Sequence, residues 1–185
     1  RLYPNGRLAA HVLGGASYGE EGVNAAEVIG VAGIEKALDA RLRDPELVGV
    51  PLELSIDLTL QSAVRAVLDG GMQIMGANSA SAVIMDVTNG EILSMVSLPD
   101  FDPNRRPTPL LQGDPADSPL FNRSVQGLYE LGSVFKIFTV AQALELGLVN
   151  PNTMIDTRGP MVQGRYKIDD FHNYGASLSV TDVIM

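Results

Sequence analysis

Ser133 and Lys136 are the residues of this chain best arranged for covalent chemistry. They bound a Ser-x-x-Lys pattern inside Tyr129-Glu130-Leu131-Gly132-Ser133-Val134-Phe135-Lys136. Glycine at 132 lets the backbone turn sharply into a helix, which leaves Ser133 at its N-terminus, where backbone N–H groups lack partners and the dipole is positive. Negative charge developing near the serine is stabilised there. Lys136 follows one helical turn later and falls on the same face. A serine hydroxyl is a poor nucleophile until a base takes its proton, and a lysine is that base only as the neutral amine. Burial favours the neutral amine, and Phe135, Ile137 and Phe138 stand in sequence where they could supply apolar surroundings. The spacing leaves a second reading open, a serine capping the helix and a lysine snorkelling from it. Three features favour the nucleophile: the pattern occurs once, a glycine precedes the serine, and the helix it opens is expected to be the most buried in the chain.

Other candidate sites carry less. Asp100, Asp102 and Asn104 alternate like the start of a calcium loop, but Arg105 and Leu111 stand where glycine and glutamate are required, so a solvated turn is expected. His11 and His172 are too few and too distant for a local metal motif and suggest no Ser-His-Asp order, so both are read as structural. Gly30 and Gly33 lack the strand and third glycine of a dinucleotide fingerprint and are assigned to helix packing. Glu35 is either a surface charge or a member of a buried ion pair.

These residues need elements to hold them. Ile34, Leu38 and Leu42 recur at helical spacing and predict one amphipathic helix over 34–42. Residues 50–55 read as extended. Residues 58–68 read as a helix capped by Asp57 or Thr59 and stopped by Gly70-Gly71. Two strand-like runs, 81–87 and 91–97, flank Thr88-Asn89-Gly90 and predict an antiparallel hairpin. The proline-rich stretch 99–119 predicts an irregular loop. Residues 133–146 leave almost no polar face, which predicts a central, buried helix ended by Gly147 and Pro151. Short strands and turns fill 152–177, and Ser179 with Asp182 opens a last helix at capping-box spacing.

The 185 residues are 45% hydrophobic and 19% charged, enough to build a core in one domain, or in one small domain and part of another. A net charge of -9, with Lys36, Lys136 and Lys167 as the only lysines, provides no basic stripe, so nucleic-acid binding is not expected. Without cysteine there are no disulfides, thiolate metal sites or cysteine nucleophiles. No apolar run reaches the roughly 20 residues of a membrane span, so the chain is expected to be soluble. Because it opens at Arg1 without a methionine, an anchor or signal is expected upstream.

Asn122-Arg123-Ser124-Val125 and the segment Tyr129 to Lys136 resemble the nucleophile region of class B penicillin-binding proteins, especially the division-type transpeptidases. Arg1-Leu2-Tyr3-Pro4-Asn5-Gly6, Leu8-Ala9-Ala10-His11-Val12-Leu13-Gly14 and Gly30-Val31-Ala32-Gly33-Ile34-Glu35 resemble motifs of their non-catalytic N-terminal module. Leu54-Ser55-Ile56-Asp57-Leu58-Thr59-Leu60-Gln61 resembles the start of their transpeptidase domain. Asp86 to Leu93 and Pro99 to Asn104 resemble its first hairpin and the loop after it. Leu131 departs from the pattern, since many relatives have proline there.

The resemblance implies an α+β fold: part of a small N-terminal pedestal over residues 1–50, then the N-terminal part of a transpeptidase domain over 51–185, with helices flanking an antiparallel sheet. It implies a peptidoglycan D,D-transpeptidase with Ser133 as nucleophile and Lys136 as base. Stem peptides would be the substrates, β-lactams would acylate the same serine, and no cofactor or metal would be needed. Division or other cell-wall synthesis proteins would be partners. The parent would sit on the periplasmic face of the cytoplasmic membrane, anchored upstream of Arg1. It further implies a supporting role for His172 near the active-site rim and favours the ion pair for Glu35. The family's Ser-x-Asn and Lys-Thr-Gly motifs do not occur before Met185, so these residues alone are expected to be inactive. Two alternatives accompany this reading: a non-catalytic interaction module for division proteins, and a β-lactam sensor or β-lactamase relative.

Overall fold

The computed structural model describes residues 1–19 and 27–185. The fold is α+β, and the chain forms two compact units, residues 1–127 and 128–185.

The first unit is organised by helix α4 (Leu58–Met75) against the hairpin of β3 (Ala80–Met85) and β4 (Ile92–Leu98). Asp57 caps α4 by accepting the Leu60 amide at 2.8 Å, as its sequence position predicts. The predicted stop at Gly70-Gly71 is overrun. Each glycine costs the helix about 1 kcal/mol relative to alanine, but the half-buried face of Val64, Leu68 and Met72 runs straight past them. Gly76 ends the helix instead, at φ +61°, with its amide on the Met72 carbonyl.

The hairpin pairs Ala80 with Leu98 through to Met85 with Ile92, with a bulge after Ile84. In its turn the Asp86 carboxylate accepts the Thr88 amide at 2.8 Å, and Gly90 takes the positive φ (+81°) that the Asn-Gly signal anticipates. Gln61 joins helix to strand. Although only 3% exposed, it accepts from the Ser94 hydroxyl at 2.8 Å and the Met95 amide at 2.9 Å, and it donates to the Met95 carbonyl at 2.8 Å. Val96, Leu98 and Phe101 complete the buried patch beneath.

The N-terminal part of this unit contains α1 (Ala10–Leu13), β1 (Gly15–Tyr18), β2 (Val28–Ala32), α2 (Gly33–Ala37) and α3 (Asp39–Leu42). Strands β1 and β2 are antiparallel. The single helix predicted over 34–42 is two pieces broken at Leu38, because the Asp39 carboxylate accepts the Gly30 amide at 2.8 Å and pins the second piece to β2. Gly30 and Gly33 serve close packing, as expected. A Cβ on Gly30 would lie 1.8 Å from the Glu35 carbonyl oxygen, and Gly33 (φ +58°) presses on Gly14. Glu35 is the ion-pair member: it is paired with Arg1 and accepts the Tyr3 hydroxyl at 3.2 Å.

Residues 99–119 are irregular, as predicted, and the irregular stretch runs on to 121, with 3-10 turns at Pro103–Arg105 and Pro115–Asp117 capped by Asp102 and Asp114. Asp100 departs from the expected solvated turn. Its side chain is 6% exposed and lies between Arg65, at 2.6 Å, and Arg7, at 3.3 Å. Helix α5 (Arg123–Gln126) closes the unit under an Asn122 cap.

The second unit begins with a 3-10 turn, Gly132–Phe135, leading into α6 (Lys136–Glu145). Strand β5 (Met154–Asp156) pairs with β8 (Ser177–Ser179), and β6 (Met161–Gln163) pairs with β7 (Tyr166–Ile168). Helix α7 (Val180–Ile184) carries the predicted capping box, with Asp182 in the usual Glu position. The expectation of a central, buried helix over 133–146 is corrected: Val134, Phe135, Ile137, Leu144 and Leu146 are exposed, and Phe138 is 62% exposed. A unit of about sixty residues buries too small a share of its surface to cover such a helix, and the strands present are three residues long. Among the described residues no helix is long and apolar enough to cross a membrane.

Candidate active site

Gly132 adopts φ +54°, a left-handed conformation that residues with a Cβ rarely take, and this turns the chain into the 3-10 segment that carries Ser133. The Lys136 amide donates to the Ser133 carbonyl, so serine and lysine are one turn apart at the junction of 3-10 and α-helix. Neither the turn nor α6 is capped by a side chain, so Ser133 is not acting as a helix cap. Both side chains are exposed, and the apolar shell expected around Lys136 from Phe135, Ile137 and Phe138 is not formed.

Ser133 and Lys136 line one cavity of about 540 Å³ within this unit, together with Asp156, Asp170, Tyr174 and Asp182. Hydrogen bonds from the Arg158 guanidinium and amide hold the Asp156 carboxyl at a pKa of about 2. The Ser179 hydroxyl and amide hold Asp182 below the ordinary carboxylate range. Asp170 makes no hydrogen bond or ion pair among the described residues. Spacing could not reveal Asp156, Asp170 or Tyr174, because they reach the cavity from β5 and from the turns around β7 and β8, far from the Ser-x-x-Lys signal. Asp182 was visible only as a capping residue. His172 stacks edge-on against Tyr174 at 6.1 Å and does not line this cavity.

His11 lies in the first unit, with Nε2 2.8 Å from the Pro119 carbonyl oxygen and its ring edge-on to Phe101. Burial pushes its pKa below the ordinary value. It is structural, as its isolation in the sequence suggests.

The profile of the family described as penicillin binding protein transpeptidase domain matches residues 80–185. The chain is 35% identical over 184 residues to the probable peptidoglycan D,D-transpeptidase FtsI of Caulobacter vibrioides, covering 99% of this chain and 29% of that protein. It is 31% identical over 199 residues to the penicillin-binding protein PbpB of Mycolicibacterium smegmatis, covering 95% of this chain and 29% of that protein. It thus spans under a third of the length of these curated relatives. Among solved structures, a Pseudomonas aeruginosa PBP2 in complex with WCK 5153 superposes with a TM-score of 0.70 at 28% identity, over 98% of this chain and 43% of that one. With its ordered motifs, its α+β fold and a family match over more than half its length, the chain belongs to the penicillin-binding protein transpeptidase family, on the class B side with the FtsI-type members.

Proposed function

We propose that this chain is part of a peptidoglycan D,D-transpeptidase of the serine acyl-transfer type, with Ser133 as nucleophile and Lys136 as the base that activates it. On this reading residues 1–50 belong to the pedestal and 51–185 to the transpeptidase domain. The observation that carries the proposal is the shared cavity: Ser133, uncapped and delivered by the positive-φ Gly132, lines it together with Lys136, one turn away. The names of the relatives, D,D-transpeptidase and penicillin-binding protein, supply the substrate class.

In the proposed reaction the Lys136 amine, once it has given up its own proton, takes the Ser133 hydroxyl proton while Oγ attacks the carbonyl between the two terminal D-alanines of a stem peptide. The tetrahedral oxyanion receives the Ser133 N–H, a contribution of about 3 kcal/mol where such donors have been removed in other enzymes. The C–N bond breaks, the proton passes to the departing D-alanine amine, and an acyl ester remains on Ser133. A neighbouring stem amine then attacks that ester and loses a proton, Oγ regains one, and the new amide is the cross-link. A β-lactam enters the first step and leaves the ester standing. The periplasmic setting, the upstream anchor and the division-protein partners belong to the same proposal.

The test is acylation of the complete gene product by a labelled penicillin, followed by peptide mass spectrometry. A covalent adduct on Ser133 that is absent from Ser133→Ala and at least a hundredfold slower in Lys136→Ala is expected. An adduct elsewhere, or none, sinks the assignment. Rapid release of the adduct with hydrolysed β-lactam favours a β-lactamase relative instead.

A further inference from the structure

The N-terminal segment 1–14 is attached to the irregular loop 99–121 at three points spread along both, each joining residues about a hundred positions apart. The Tyr3 amide donates to Asn104 Oδ1 at 2.9 Å, and Asn104 Nδ2 donates back to the Tyr3 carbonyl at 2.8 Å. The Asn104 side chain thus pairs with Tyr3 as a neighbouring strand would. Arg7 meets the buried Asp100 carboxylate at 3.3 Å. His11 holds the Pro119 carbonyl at 2.8 Å and packs edge-on against Phe101.

Besides segment 1–14, α4 holds the loop near its start, where Asp100 accepts Arg65 Nε at 2.6 Å and Nη2 at 3.2 Å. The backbone hydrogen bonds inside it, Arg105 to Asp102, Asp117 to Asp114, Ser118 to Pro115 and Phe121 to Ser118, each close a single local turn. Such turns fix local shape but not the position of a twenty-residue segment, because ordering each backbone residue costs roughly 1–2 kcal/mol. At its far end the loop is stapled to the start of α5: the Arg123 guanidinium donates to the carbonyls of Ala116 and Phe121, and the Arg123 amide donates to Ser97 Oγ.

We propose that residues 1–14 are a strap that orders loop 99–121, and that strap and loop open as one cooperative unit while α4 and the β3–β4 hairpin stay closed. Local opening in such contiguous units is how proteins commonly lose order short of global unfolding. A partner gripping the strap would therefore change the order of the loop that leads into Asn122-Arg123-Ser124. The inference is independent of any chemistry at Ser133.

Amide hydrogen exchange on the full 185-residue chain tests it. Asn104→Ala is expected to speed exchange at least tenfold in peptides from both 1–14 and 99–121, without change in α4, β3 or β4. His11→Ala, acting at the other end of the strap, is expected to give the same paired pattern. Arg105→Ala, at an exposed neighbour whose side chain makes no hydrogen bond or ion pair among the described residues, is expected to give none. Acceleration confined to one of the two segments overturns the proposal. If Asn104→Ala accelerates exchange everywhere, Arg7→Ala decides: it removes only an exposed guanidinium from the strap's contact with Asp100. A paired, smaller acceleration then supports the strap, and a uniform one or none overturns it.

Discussion

Gln61 satisfies three polar groups of the core with one amide, and its loss leaves them stranded. In Gln61→Leu the Ser94 hydroxyl and the Met95 amide remain buried without partners, at about 1–3 kcal/mol for such orphaned groups. Denaturant unfolding of the first unit is expected to show a loss of about 2–3 kcal/mol, and a loss under about 0.5 would mean that water replaces the amide. His11 contributes through its charge state. Burial favours the neutral ring, so the folded chain binds the proton less readily than the unfolded chain, whose imidazole titrates near 6.5. Its contribution is complete above that value, declines as the pH falls below it, and ends its decline once the folded ring is protonated. Unfolding free energy measured across that window is expected to drop in the parent chain and to drop less in His11→Gln. Neither role was visible in the sequence, since a glutamine in a helix and an isolated histidine carry no partner information until strand and loop lie beside them.

Helix α4 and the Gly30 junction give glycine opposite meanings. Gly70 and Gly71 lie inside α4 with open space where a Cβ would be. Each replacement by alanine is expected to raise stability by about 0.5–1 kcal/mol, read from melting curves, because alanine gives up less backbone freedom in a helix. At Gly30 a Cβ would collide with the Glu35 backbone, so Gly30→Ala is expected to cost several times that gain, with the damage confined to β2 and α2 in exchange experiments. Short-range signals served well at this scale. Asn89-Gly90 marked the hairpin turn, Asp57 the start of α4, Gly147 the end of α6, and Ser179 with Asp182 a capping box. Reading failed where a distant group decided. The break at Leu38 depends on the Gly30 amide meeting Asp39, and the run of α4 past two glycines depends on the strand beneath it.

Across the whole chain the two units are unequally filled. Among the described residues, the buried hydrophobic side chains Ala9, Ala10, Val96, Leu98 and Phe101 all belong to residues 1–127, whereas Val180 alone represents 128–185. The second unit also bears the candidate nucleophile, and its helix α6 and the turn before it leave Phe135, Ile137 and Phe138 exposed. The turn and the one-turn spacing of the candidate site were legible, because Gly-Ser-x-x-Lys specifies both. Its surroundings were not, because they depend on what packs over α6, and the apolar pattern says only that something should. Resistance to local opening follows buried apolar contact more closely than hydrogen-bond count. Amides of β4 and the first half of α4 are therefore expected to exchange at least a hundredfold more slowly than those of α6 and β5 through β8 in this 185-residue chain. Equal protection in both units would mean that α6 is covered by association between chains, which a concentration series would expose. The same imbalance bears on reactivity: a serine at the edge of a loosely held unit lacks the fixed geometry that acyl transfer requires. Under the proposed acyl-transfer role, labelled penicillin is thus expected to acylate Ser133 at least a hundredfold more slowly in this chain than in a protein extended to the length of its relatives, and comparable rates would locate the whole catalytic apparatus within residues 1–185.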